Sequence, residues 1–393
     1  MEWGEIIMKE NKIYLDNAST SFPKPSSVSK MMFDFINQYG TNINRGRYSK
    51  AYETADIVFE TREQLANMFN FHDCKNVIFT SNITASLNIL LKGYLKNGDH
   101  VLVSDMEHNA VMRPLVQLTS EGVTFDRIPC NNKGELLLNE VKPLIKENTK
   151  AIIMTHASNV CGTVLPIKEV GEICKDNNLK FFVDSAQTAG ILPIDMKEMN
   201  IDALAFTGHK GLLGPQGIGG FIISDELSDA ITPLISGGTG SLSHTEEIPS
   251  FLPDKFEAGT LNLPGILGLH GALNYLEKVG IDSIREKELK LTDIFIKGIQ
   301  EMDKVKLIGK TSTNGRVSVI SIQPKEKDPA LVSYELDSIY GIMTRVGLHC
   351  APNAHKTLNT YPTGTIRFSF SHFNTEEEIL YALDSLRRII YGA

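Results

Sequence analysis

The sequence predicts an α/β protein: a large domain on a mostly parallel sheet, followed by a smaller α+β domain. Three observations carry this. Short, wholly apolar runs alternate with segments of helical period from about residue 77 to 223. Residue types that do chemistry recur at the ends of those runs, where active sites collect in such sheets. Past residue 265 the alternation gives way to long polar helices and then further strands. At 393 residues the chain is long enough for two domains and a large core.

Taken in order, residues 12–20 read as a short strand running into polar residues, and Pro23 and Pro25 open a helix over 26–38. The loop 42–49 carries Arg45 and Arg47 around Gly46, a pair suited to an anion. Residues 51–69 have helical period. A strand at 77–84 breaks into a helix at Ala85, so backbone N–H groups and the Thr84 hydroxyl can point at a phosphate; a plain N-cap threonine is the alternative. Strands follow at 100–104, 124–128, 151–155, 180–184 and 203–206, with helices at 109–121, 138–147 and 167–178 between them. Helices at 265–278 and 282–302, strands at 317–322 and 365–370 and a helix at 375–390 complete the chain. The domains are expected at 12–265 and 266–393, divided within a continuous helical stretch between 260 and 285, with residues of about 1–30 packing on the small domain.

The net charge of −8 and the absence of a basic patch argue against nucleic acid and anionic membranes as partners. The N-terminus lacks the basic flank and apolar core of a signal peptide, and no apolar run reaches the length of a membrane span. Five scattered cysteines without CxxC spacing fit reduced thiols in a cytoplasm better than disulfides or a metal site.

The segment 203–223 organises the rest. An apolar run ends at His209-Lys210, a Gly/Pro-rich turn follows, and a second strand-like run leads away over 221–223. A desolvated lysine at a strand end loses proton affinity and becomes a nucleophile toward carbonyls; a solvated lysine in a surface turn is the alternative. The strand-end rule gathers Thr84, His108, Asn159, Asp184, Gln187, His209 and Lys210 into one cluster. Asp184 closes an apolar strand, so it is either a helix N-cap or a buried carboxylate awaiting a cationic donor such as a pyridinium N–H.

Seven motifs then resemble, in order, the cysteine desulfurase and selenocysteine lyase branch of the class V aminotransferases. They are Asp16-Asn-Ala-Ser, Met106-Glu-His-Asn-Ala110, Ser158-Asn-Val-Cys-Gly-Thr163, Val183-Asp-Ser-Ala-Gln187, Thr207-Gly-His-Lys210, Phe256-Glu-Ala-Gly-Thr260 and Arg345-Val-Gly-Leu-His-Cys-Ala351. The resemblance implies the fold type I of pyridoxal 5′-phosphate (PLP) enzymes, with a seven-stranded sheet and a homodimer whose two sites lie at the subunit interface. It implies that Lys210 forms the Schiff base with PLP, Asp184 pairs with the ring nitrogen and His108 stacks on the ring. Asn159 and Gln187 contact the ring hydroxyl side. Ile83, Thr84, Thr207 and His209 line the phosphate site, and Thr260 reaches the phosphate of the other subunit. Arg367, with Arg345 and Asn159, binds the substrate carboxylate. Cys350 is implied as the thiolate that takes sulfur from L-cysteine, leaving alanine and a persulfide for an acceptor protein.

Arg345 and His349 favour a Cys350 thiolate if they face it. Tyr48 stands where the desulfurases have histidine, Ala85 replaces an acid found in one subgroup, and the loop 351–364 differs from the short version. Selenocysteine lyase or another class V reaction is the alternative within enzymes, and an idle homologue serving as a binding module the alternative outside them.

Overall fold

The computed structural model describes residues 12–43, 46–242 and 244–392. Its strands are β1 (Ile13–Tyr14), β2 (Val77–Thr80), β3 (His100–Ser104), β4 (Thr124–Ile128), β5 (Thr149–Thr155), β6 (Lys180–Asp184), β7 (Ala203–Thr207) and β8 (Gly219–Ile223), then β9 (Val305–Ile308), β10 (Val319–Pro324), β11 (Ile342–Met343), β12 (Arg345–Gly347) and β13 (Thr365–Ser369). A seven-stranded sheet has the order β2-β8-β7-β6-β5-β3-β4. β8 runs antiparallel to both neighbours, and the other pairings are parallel.

Both faces of this sheet are covered, which is why its central strands are largely apolar rather than apolar at every second residue, while the edge strand β4 carries Asp126 and Arg127. Ile152, Met154, Phe181, Val183, Leu204 and Phe206 feed the core under the helices Ser49–Met68 and Leu263–Val279. Their neighbours Ala151, Ile153, Phe182, Ala203 and Ala205 feed the opposite core under Ile83–Tyr94 and Asn109–Thr119.

A four-stranded antiparallel sheet, β12-β13-β10-β9, lies over a third core that joins Leu291, Phe295, Ile320, Phe368 and Leu386 to Leu15. The N-terminal strand β1 is tied to the C-terminal part by parallel pairing with β11. The helices Leu263–Val279 and Ile281–Gln300 meet at Gly280, whose φ of 86° a residue with a side chain rarely adopts, so the helical stretch is broken there rather than continuous.

Several sequence expectations differ from the structure for local reasons. Residues 138–147 form two 3₁₀ turns, Leu138–Glu140 and Lys142–Leu144, because Pro143 lacks the N–H an α-helix needs. The strand begun at 77 ends at Thr80, since Asn82 caps the next helix by accepting the Ala85 N–H at 2.9 Å. The helix Ser26–Asp34 ends in a π turn, Phe35–Tyr39. The loop 351–364 contains a helix, Pro352–Thr357. Arg45 of the anticipated anion loop lies outside the described residues, as do residues 1–11.

Candidate active site

The carboxyl ends of β2, β3, β5, β6 and β7 open onto a cavity of about 450 Å³. Ile83, Thr84, His108, Asn159, Asp184, Gln187, Thr207, His209 and Lys210 all line it, and the small sheet closes it with Arg345, His349, Cys350 and Arg367. Residues from Ile83 to Lys210 meet because parallel strands deliver their ends to one edge, and the antiparallel small sheet brings the later residues over them.

Lys210 follows β7 and its amine reaches the cavity among few compensating charges. Burial pushes its pKa down to about 8 against the pull of Asp184, so the neutral amine is far more populated near neutrality than in an ordinary lysine. Asp184 is 2% exposed, and burial raises its pKa. One of its oxygens accepts the Ala186 N–H at 2.8 Å. The residue therefore caps a turn rather than a helix, and its second oxygen takes no protein donor among the described residues. A donor from a ligand would offset the cost of keeping that carboxylate charged.

His108 caps the helix Asn109–Thr119, its Nδ1 accepting the Ala110 N–H at 3.0 Å. Burial and the nearby Lys210 charge push its pKa down to about 4, so the ring is neutral and carries its proton on Nε2. Gln187 is oriented by a 3.1 Å bond from Nε2 to the Ala18 carbonyl, and Asn159 by a 2.7 Å bond from Nδ2 to the His349 carbonyl.

At the end of the cavity near the start of the helix Ile83–Tyr94, two buried polar side-chain atoms are left without protein partners among the described residues. Since Asn82 is the cap, Thr84 is free of that duty and sits exposed on the cavity in the first turn, where helix N–H groups remain unsatisfied. Thr207 Oγ1 and His209 Nδ1 are buried and have no partner. Buried polar atoms without partners are costly, so this end of the cavity is built for a group rich in acceptor oxygens.

Arg367 is 2% exposed and donates to the Asn159 carbonyl at 3.1 Å, to Asp16 at 2.9 Å and to the Ser19 hydroxyl at 2.6 Å, while its Nε is buried and unpartnered. Arg345 stands directly across the β12–β13 pairing and clasps the same Asp16 at 2.8 Å. Asp16 is thus the anchor for both guanidiniums. Sequence reasoning assigned it no role; its signal was present in the first motif, at the end of an apolar stretch far from any arginine in sequence.

Cys350 is the exposed one of the five cysteines, none of which forms a disulfide. It follows β12 with φ of 56°, and His349 before it has φ of 47°. Two successive non-glycine residues in the left-handed region hold the thiol-bearing turn in a strained shape, of the kind that functional sites retain. Arg345 and Lys210 are cations that line the same cavity as Cys350. His349 does not supply the positive charge expected of it: burial and Arg367 push its pKa down to about 2, and its Nε2 is engaged with the Thr365 hydroxyl at 3.0 Å. The thiols of Cys74, Cys130 and Cys174 are all pushed up by burial, and Cys161 is buried away from the cavity with Sγ donating to the Thr163 hydroxyl at 3.3 Å.

Thr260 is exposed and outside the cavity. Its turn is fixed by Glu257, which is buried in a two-pronged pair with Arg62 at 2.9 and 2.6 Å and accepts the Phe79 N–H.

A family model described as Aminotransferase class-V matches residues 13–381. The chain belongs to the class-V aminotransferase family. Among curated members, it is 32% identical over 389 residues to a probable cysteine desulfurase of Methanothermobacter thermautotrophicus, covering 98% of this chain and 96% of that one. It is likewise 32% identical to a probable cysteine desulfurase of Pyrococcus abyssi, over 98% and 96% of the two chains. Among solved structures, the apo cysteine desulfurase of Thermococcus onnurineus is 31% identical with a TM-score of 0.91, covering 97% of this chain and 95% of that one. The cysteine desulfurase CsdA of Escherichia coli is 26% identical with a TM-score of 0.87, over 97% and 95%. The class-V fold therefore extends over nearly the whole chain, both sheets included.

Proposed function

We propose that this class-V member is a PLP-dependent cysteine desulfurase that removes sulfur from L-cysteine, releasing alanine and leaving a persulfide on Cys350. One observation carries the reading: a buried lysine of lowered proton affinity, a buried carboxylate with an open oxygen and an exposed cysteine on a strained turn share one cavity. The likeness to cysteine desulfurases over the full chain supports it.

The residues fit the cofactor. Lys210 supplies the amine that holds it, and the free oxygen of Asp184 suits the ring N–H. Thr207, His209 and the first turn at Ile83 and Thr84 suit the phosphate, and Asn159 and Gln187 the ring hydroxyl side. When bound, PLP supplies the electron sink that lets bonds next to the substrate nitrogen break. His108, neutral and with a proton on Nε2, lines the cavity where the ring would lie and could give or take a proton there. The Cys350 thiolate attacks the substrate sulfur; an S–S bond forms, the C–S bond breaks, and its electron pair stays on carbon. The proton that Cys350 gave up ends on that carbon, which balances the step and yields alanine. Arg367, with Arg345 behind it, holds the substrate carboxylate through donors not committed to Asp16.

The reading includes a homodimer, with Thr260 on its projecting turn serving the partner's phosphate site, and a protein acceptor that reaches the exposed Cys350. It also includes a cytoplasmic location, supported by cysteines free of disulfides. An assay of alanine and sulfide from L-cysteine, with and without a thiol reductant, tests the activity: alanine forms on multiple turnover only when reductant or acceptor clears the persulfide. Alanine formation without any sulfide released under reductant contradicts it.

Asp184→Asn is expected to retain bound cofactor and to slow turnover by roughly 10²-fold or more, since an amide cannot stabilise a protonated ring nitrogen. Activity within a few-fold of the parent removes that role. Arg367→Ala is expected to raise KM for cysteine by roughly 10–100-fold, the value of one charged hydrogen-bonded contact, with little change in cofactor absorbance. An unchanged KM moves the carboxylate site elsewhere.

A further inference from the structure

The imidazole of His349 belongs to a chain of hydrogen bonds whose direction the structure fixes. Ser321 Oγ on β10 lies 2.6 Å from the Val160 carbonyl, which can only accept, so the single Ser321 proton is committed there. Thr365 Oγ1 on β13 lies 2.9 Å from Ser321 Oγ and must therefore donate to it. Nε2 of His349, 3.0 Å from Thr365 Oγ1, is then the donor of the last link. His349 thus holds its proton on Nε2; Nδ1, which has no partner among the described residues, is the bare nitrogen and strands no N–H. Thr365, Ser321 and Val160 are all fully buried, so solvent cannot replace a broken link.

This chain ends on the turn that carries the thiol. The Ala351 N–H donates to the Leu348 carbonyl at 2.9 Å across His349 and Cys350, both of positive φ, the pattern of a type I′ turn without the glycine or asparagine that such turns favour. Outside donors fasten its two central carbonyls: that of His349 accepts Asn159 Nδ2 at 2.7 Å, and that of Cys350 accepts the Asn109 N–H at 2.8 Å. Asn159 directly precedes Val160, so its bond and the side-chain chain close a ring from the His349 imidazole, through the small sheet and the 158–163 segment, back to the His349 carbonyl. A turn with two unfavourable residues persists only where its surroundings over-determine it, and here they do.

We propose that His349 is a positioning residue for the Cys350 nucleophile: its Nε2–H, seated through Thr365 and Ser321 on the Val160 carbonyl, keeps the turn in its left-handed shape and the thiol on the cavity wall. The proposal rests on the reading of Cys350 as the residue that takes sulfur. A reacting group displaced by about 1 Å can lose roughly 10²-fold in rate, because attack needs the two sulfurs aligned at contact. The imidazole acts here by shape and not by charge, in accord with a ring that burial keeps neutral.

Thr365 variants test this without touching the turn itself. T365V keeps the branched shape of a buried strand residue but leaves the His349 N–H without its acceptor, whereas T365S restores the hydroxyl. When PLP-loaded protein is mixed with L-cysteine, the single-turnover rate at which the Cys350 peptide gains sulfur is expected to fall roughly 10–100-fold in T365V and to stay within about threefold of the parent in T365S. Bound-cofactor absorbance and the half-saturating cysteine concentration should be unchanged in both, the mark of a group that acts on the reacting step alone. Heteronuclear NMR of histidine-labelled parent protein, with the His349 signals assigned by their loss in H349Q, should place the proton on Nε2. A parent-like rate in T365V, an equal loss in T365S, a loss of bound cofactor along with the rate, or a proton on Nδ1 overturns the proposal and leaves the desulfurase reading standing. A parent protein that never gains sulfur at Cys350 overturns both.

Discussion

Lys210→Ala is expected to lose the visible absorbance of bound cofactor and to lower turnover by at least roughly 10²–10⁴-fold, the span associated with a positioned acid–base group, while the protein stays folded. The reason lies in the site's division of labour. The groups proposed for the phosphate, Thr84, Thr207 and His209, and for the ring nitrogen, Asp184, are on other parts of the β2, β6 and β7 ends, so truncating Lys210 removes the amine and leaves the proposed cradle. Removal of a partly desolvated amine also relieves a burial cost, so thermal stability of the cofactor-free protein should not fall. Absorbance spectra and alanine release, measured on the same preparation, check this. Parent-like turnover in the variant contradicts the assignment of Lys210.

Cys350→Ala is expected to abolish alanine formation from L-cysteine and to spare much of any activity on selenocysteine. Sulfur must be drawn off by a nucleophile, whereas selenium leaves more readily. The substitution removes only a solvent-exposed side chain, although alanine must adopt the same left-handed backbone, so the fold should persist. Melting temperature and cofactor absorbance should match the parent. Continued alanine release from cysteine makes Cys350 a bystander and returns the chain to the broader class V chemistry.

Much of this site was legible in the sequence because parallel α/β sheets impose a simple rule. Each apolar run is a strand buried on both faces, and the polar residue that ends it emerges at the carboxyl edge. Asp184, Lys210 and Asn159 follow from this rule alone. The rule works one strand at a time, and it is silent on contacts between lobes. Asp16 ends no long apolar run and is read only when β13 and β12 bring Arg367 and Arg345 to it. Glu288 sits in a helix whose sequence, rich in Lys and Glu, looks solvated; its burial follows from the β10 and β13 ends packed over it. His349 failed in the opposite direction, since proximity in sequence to Cys350 suggested a cation where burial enforces a neutral ring. The 138–147 segment failed because apolar spacing outweighed one internal proline.

The central claim is that Cys350 receives the substrate's sulfur. The PLP-loaded protein mixed with L-cysteine, without reductant, should gain one sulfur atom, about 32 Da, on the peptide that carries Cys350, as expected of a thiolate that forms a covalent intermediate. The added mass should disappear on reduction. Sulfur mapped instead to Cys161, or alanine released with no mass gained anywhere, contradicts the account.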